Sequence, residues 1–122
     1  MTQTLFIPGP LPVLNDFLGK GQRWTYNSDK KKWGATICHE ILLQHLKPMG
    51  RVFIRWTWQE KDQRRDPDNV TGIGKKFALD ALVTMGILKN DGWKQIAGWT
   101  DHWLVVPDSP GVTVLLEEMG DE

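Results

Sequence analysis

The spacing of apolar residues changes from two to about four partway along this chain, and few architectures can absorb that change. In RVFIRWTW, Arg51–Trp58, Val52, Ile54, Trp56 and Trp58 share one face of an extended strand, while Phe53, Arg55 and Thr57 share the other. A charged connection, residues 59–65, follows. From Asn69 to Met85, Ile73, Phe77, Ala81 and Met85 recur at four-residue spacing with Leu82 beside them, which predicts a helix ended by Gly86. Gly72 and Gly74 weaken its first turns by about 1 kcal/mol each relative to alanine.

The flanking segments extend the pattern. Thr2–Ile7 reads as a short strand, and Pro8, Pro10 and Pro12 force a turn-rich, non-helical stretch after it. Residues 15–29 read as a basic loop. Lys30–Leu46 is expected to be a helix, with Trp33, Ile37, Ile41 and Leu42 at helical spacing, Cys38 and Leu46 alongside, and Pro48 and Gly50 ending it. Gln95–Val106 and Val112–Glu118 read as strands, joined through Pro107-Asp108-Ser109-Pro110-Gly111 as a hairpin. The order is strand, helix, strand, helix, strand, strand. It predicts an α+β fold, a mixed β-sheet covered by helices, in a single domain spanning residues 1–122.

Composition excludes several classes. With 40% hydrophobic and 25% charged residues the chain is not of the disordered type. One cysteine, Cys38, allows neither an intramolecular disulfide nor a multi-cysteine metal site. No apolar run is long enough for a membrane helix, and MTQTLFIPGPLP lacks the basic and apolar parts of a secretory signal. A soluble, cytoplasmic protein is expected. The net charge of zero hides a segregation: residues 1–60 hold eight Lys/Arg against four Asp/Glu, and residues 61–122 hold seven against eleven. A basic patch can therefore stand beside an acidic site.

The chemistry concentrates in RRDPDN, Arg64–Asn69. Asp66 precedes a proline and is pushed towards extended backbone. In extended chain, residues two apart point the same way, so Asp66 and Asp68 are expected to project together. Neighbouring carboxylates repel, a hard divalent cation removes that penalty, and oxygen ligands suit Mg²⁺ or Mn²⁺. The plainer reading is that Asp68 or Asn69 caps the following helix while Asp66 favours its dipole. A calcium loop of the EF-hand type is excluded, because Val70 and Thr71 stand where a ligand and a glycine are needed.

Lys76 and Asp80, four apart, make either a surface ion pair or a lysine that reaches a phosphate, with Lys75 the adjacent alternative. Asn90-Asp91-Gly92 reads as a turn, and Asp91 offers a third carboxylate. The intervening helix is about 25 Å long, so Asp91 meets Asp66 only if the chain doubles back or a partner subunit supplies it. His39, His45 and His102 lack ligand spacing, and no P-loop or dinucleotide glycine motif is present, so no nucleotide cofactor is expected. Most of the seven tryptophans are expected in the core or at a dimer interface, and Trp24, beside Arg23, is placed to stack on an exposed base.

These residues resemble the RusA family of phage and prophage Holliday junction resolvases over nearly the whole chain. The likeness runs from LPVLND, with Asn15, through RRDPDN and KKFALDALVTMGILKND to the closing EEMGDE. The resemblance implies a homodimer that binds four-way junction DNA and cuts two opposing strands symmetrically with Mg²⁺ or Mn²⁺, in recombination and repair. It implies that Asp66, Asp68 and Asp91 form the acidic metal site, that Lys76 is the catalytic lysine, and that Arg65 contacts DNA. Arg23, Lys30, Lys31, Lys32, Arg64 and Lys75 are the further expected DNA contacts.

Overall fold

Strand alternation and helical periodicity both direct apolar side chains into one space, between a single sheet and two helices. The structure, a computed structural model, describes residues 1–12 and 22–120, with residues 22–26 described by their backbone alone. Its elements are β1 (Thr2–Pro8), α1 (Gln22–Leu43), β2 (Val52–Glu60), α2 (Pro67–Thr84), β3 (Ile96–Val105) and β4 (Gly111–Glu118). The chain is α+β, with a four-stranded mixed sheet ordered β1-β4-β2-β3. β4 pairs antiparallel with both β1 and β2, while β3 lies parallel to β2.

One face of the sheet carries the core. Val52, Ile54, Trp56 and Trp58 of β2, Val112, Val114 and Leu116 of β4, and Leu5 and Ile7 of β1 are all buried. The register sets Trp56 opposite Val114 and Leu5 opposite Val114, so the buried rows align across three strands. From the helices, Ile37, Ile41, Phe77, Ala81 and Leu82 close the core, with Ile73 and Met85 packed at its margin. Leu42, expected on the inner stripe, is instead 62% exposed. It adjoins the buried Ile41, and one step along a helix turns a side chain by about 100°.

The hairpin expected across residues 107–111 does not form. β3 and β4 are not neighbours, because β2 lies between them. The turn residues reverse the chain, but α2 has already delivered β3 beside β2 on the other side. The Val106 amide donates to Glu60 O at the end of β2 and the Gly9 amide to Pro110 O, which carries the connection over that strand.

Helix ends follow local chemistry. Pro67 occupies the start of α2, where its missing N–H costs nothing. Gly86 takes φ 74° beyond its end, and the Ile87 amide closes onto Leu82 O. Gly74 has a packing reason: a Cβ there would stand 2.9 Å from Trp58 Cζ3 and 3.1 Å from Leu11 Cδ2. α1 begins at Gln22, well before the expected Lys30, because its first turns carry no apolar period to read. It ends before Leu46, as His45 turns to φ 58° and the Leu46 amide closes onto Ile41 O.

The two sheet edges differ. On β1, the Gln44 side chain accepts from the Phe6 amide at 2.8 Å and donates to Phe6 O at 2.7 Å, replacing a neighbouring strand. The outer edge of β3 has no such cover among the described residues, and it exposes Trp99, Trp103, Leu104 and Val105. Among the described residues no helix is long and apolar enough to cross a membrane.

Candidate functional site

The chain leaves β2, turns through residues 61–66 and enters α2 at the acidic corner. Asp66 is the N-cap, with extended backbone at φ −70° and ψ 140°, as the following proline dictates. Its carbonyl accepts from Asn69 N and Val70 N, but its carboxylate makes no capping bond. Asp68 lies in the first helical turn. The alternation expected to align Asp66 with Asp68 therefore stops at Asp66, since Pro67 already begins the helix. The cap is Asp66 rather than Asp68 or Asn69. Both carboxylates are exposed and have no ion pair among the described residues. As free oxygen donors at a helix N-terminus they fit one side of a Mg²⁺ or Mn²⁺ shell, which accepts one or two carboxylates plus water and phosphate oxygens.

The two arginines before this corner have different roles. Arg65 forms a forked pair with Glu60, Nε to Oε1 at 2.7 Å and Nη2 to Oε2 at 3.0 Å, and its Nη1 donates to Leu11 O at 2.8 Å. It ties the end of β2 and the proline-rich segment to the start of α2. Arg64, with an 86% exposed side chain, meets only the Asp62 carboxylate, at 3.6 Å, among the described residues.

The adjacent lysines also diverge. Lys75 points at the sheet: its Nζ lies 2.9 Å from Asp101 Oδ2, 4.5 Å from the centroid of the Trp99 ring and 5.6 Å from that of Trp56. Asp101 Oδ1 accepts from Trp58 Nε1 at 2.8 Å, and Trp58 stacks on Trp56 with ring centroids 5.5 Å apart. Lys75 is thus committed to a ring of tryptophans. Lys76 points outward, with Nζ 3.7 Å from Asp80 Oδ2.

Lys76, midway along α2, belongs to a second constellation that extends past the C-terminal end of the helix. A cleft of ≈ 510 Å³ is lined by Lys30, Lys76, Asp80, Asn90 and Asp91, with Val83 and Thr84. Lys31 lines the adjoining groove between α1 and α2, and Lys32 is exposed outside both. The loop carrying Asp91 is pinned by buried Gln95, whose Oε1 accepts from Lys89 N at 3.2 Å and whose Nε2 donates to Gly50 O. Asn90 Oδ1 accepts from Gly92 N at 2.9 Å, so the turn and an exposed Asp91 carboxylate coexist. In the same groove as Lys31, burial pushes the Cys38 thiol above its usual range.

The fold therefore gathers Asp66, Asp68 and Arg64 at the start of α2 and sets Asp91 beyond its end, with Lys30 and mid-helix Lys76 lining the same cleft as Asp91. The eighteen residues of α2, about 27 Å, separate Asp66 from Asp91, whereas Lys76 lies about 12 Å along the helix from Asp68. Among the described residues no three His, Cys, Asp or Glu side chains stand together as a metal site. Asn15, and the side chains of Arg23 and Trp24, lie outside the described residues. Sequence reasoning missed Asp101. The available signal was an acid between Trp99 and Trp103 on one strand face, a position that demands a buried partner. No protein-family model matches this chain, and no curated protein matches its sequence.

Proposed function

We propose that the chain is a metal-dependent, structure-selective endodeoxyribonuclease of the RusA type, a homodimer that resolves four-way DNA junctions in recombination and repair in the cytoplasm. The observation that carries the proposal is the course of the open edge strand. β3 starts beside the Asp91 loop and ends beside the Asp66 corner, where Trp103, Leu104 and Val105 face Arg65 and Pro67 across a cleft. Two copies related by a two-fold axis join identical edges antiparallel. Such a pair sets Asp91 of the partner subunit beside Asp66 and Asp68, and each dimer then holds two sites.

In that arrangement Asp66, Asp68 and Asp91 of the partner subunit would hold Mg²⁺ or Mn²⁺, which supplies Lewis acidity toward the scissile phosphate. Arg64 and Lys30 neutralise flanking phosphates, and Lys76 offsets charge on the phosphate under attack. Water adds to phosphorus in line, the bond to the 3′ oxygen breaks, and that oxygen takes up a proton. The products are a 5′-phosphate and a 3′-hydroxyl. Two symmetric sites match the two-fold symmetry of a four-way junction better than that of a linear duplex.

The test is cleavage of a labelled four-way junction by the natural chain and by Asp68→Asn, with Mg²⁺, Mn²⁺ or EDTA. Paired symmetric nicks that need both metal and Asp68 are expected. Binding without nicks would make the chain a junction-binding module, and cleavage confined to flaps or forks would reassign the substrate.

A further inference from the structure

A cleft of ≈ 370 Å³ opens at Asp91, and the proposed hydrolysis uses no other residue of it. Its walls are Arg51, Asp91, Gly92, Trp93 and the start of β3 from Ile96 to Trp99. Trp93 is 95% exposed, an unusual position for the largest apolar side chain. Trp99, 45% exposed, forms another wall of the same cleft. Arg51 has no ion-pair partner among the described residues. Aromatic walls with a few convergent polar groups are the makeup of a ligand cleft, and the volume falls within the usual range.

Trp99 is also held in place. Lys75, which is not part of the cleft wall, sits 4.5 Å from the centroid of its ring. The lysine is fixed by Asp101, which is fixed in turn by Trp58. This chain sets one aromatic surface in advance, while Trp93 on the Asn90-Asp91-Gly92 turn stands free to close from the other side.

We propose that Trp93 and Trp99 form an aromatic clamp for an unpaired nucleobase of a DNA strand, with Arg51 on the adjacent phosphate and Lys75 as the positioning residue behind Trp99. A π-face suits any base, a guanidinium suits the phosphate beside it, and only unpaired or distorted DNA offers a base out of its stack. The clamp gives the chain a means to distinguish branched from regular duplex DNA at the residues next to Asp91. The inference rests on the reading of the chain as a protein that acts on DNA, but its test needs no cleavage.

The test uses the full chain in EDTA, with anisotropy of a fluorescein-labelled oligothymidine and of a duplex of equal length. Trp93→Ala and Trp99→Ala should each weaken binding of the oligothymidine about 10-fold, within the range of one lost stacked base, and leave duplex binding unchanged. Trp93→Phe should retain most of the affinity. Lys75→Met should weaken only the single strand, a selectivity that general destabilisation would not produce. Natural affinity for the oligothymidine in both alanine variants would overturn the clamp. So would sedimentation of the Trp93→Ala chain as a smaller species than the natural protein, which would make Trp93 an interface anchor. Tryptophan-dependent binding in a chain that never cuts a junction would uphold the clamp and remove the nuclease proposal alone.

Discussion

The Lys75 ammonium and the Asp101 carboxylate meet at 2.9 Å, joining the middle of α2 to the edge strand β3. Both side chains are largely buried, at 13% and 19% exposure. Among the described residues β3 pairs with a strand on one side only, so this contact anchors a strand that the ladder holds weakly. Removing one partner leaves the other buried without its counter-charge. Asp101→Ala, which also orphans Trp58 Nε1, is expected to cost about 3 kcal/mol, and Lys75→Ala somewhat less. Urea unfolding measures both. Losses below about 0.5 kcal/mol would show that the pair contributes no more than a surface salt bridge.

Two glycines on α2 should respond to alanine with opposite sign. Gly72 faces open space, so Gly72→Ala gains helix propensity and should stabilise by about 0.5–1 kcal/mol. At Gly74 the new methyl would stand 2.9 Å from the Trp58 ring. That ring is stacked on Trp56 and bonded to Asp101, so it cannot give way cheaply. Gly74→Ala should destabilise by about 1–3 kcal/mol despite the same propensity gain. Thermal unfolding of the two variants side by side decides the matter, and equal shifts would contradict the packing.

The legible parts of this fold are those where period and burial coincide. Val52, Ile54, Trp56 and Trp58 alternate in sequence and are all buried, and Gly86 ends its helix where expected. Partner choice was not legible. Pro107–Gly111 encodes a reversal but not the strand beside which β4 returns, since β4 fills the sheet centre by virtue of Val112, Val114 and Leu116. The start of α1 was hidden because polar residues fix no helical face. At the site, the four-residue spacing made the Lys76–Asp80 pair legible, but not the direction of Lys75, which about 100° of helix rotation sends to the tryptophans.

Arg64 and Arg65 are neighbours whose removal should separate binding from stability. Arg65→Ala breaks the fork to Glu60 and the bond to Leu11 O, and should lower stability by about 2 kcal/mol. Arg64→Ala should leave stability within about 0.5 kcal/mol. On junction DNA the order reverses: Arg64→Ala should reduce the slope of log affinity against log salt by about one, and Arg65→Ala should leave it unchanged in the folded chain. An unaltered slope for Arg64→Ala would place the phosphates elsewhere.

The distance between Asp91 and Asp66 makes subunit complementation the sharpest test of a shared site. Asp68→Asn and Asp91→Asn should each be inactive alone. In a mixed dimer, one site inherits both substitutions, while the other joins an unaltered Asp66 and Asp68 to an unaltered Asp91 of the partner subunit. Random mixing should then restore about a quarter of the natural sites, since about half the dimers are mixed and each carries one live site. Those dimers should nick one strand of a junction rather than two opposed strands, which denaturing gels of a doubly labelled junction resolve. A site built within a single chain would give no restoration, because every copy would carry its own defect. Blocking the edge supplies the control: Leu104→Lys places a charge on the exposed β3 strand, a common device against edge pairing, and should abolish restoration and dimerisation together while the monomer stays folded.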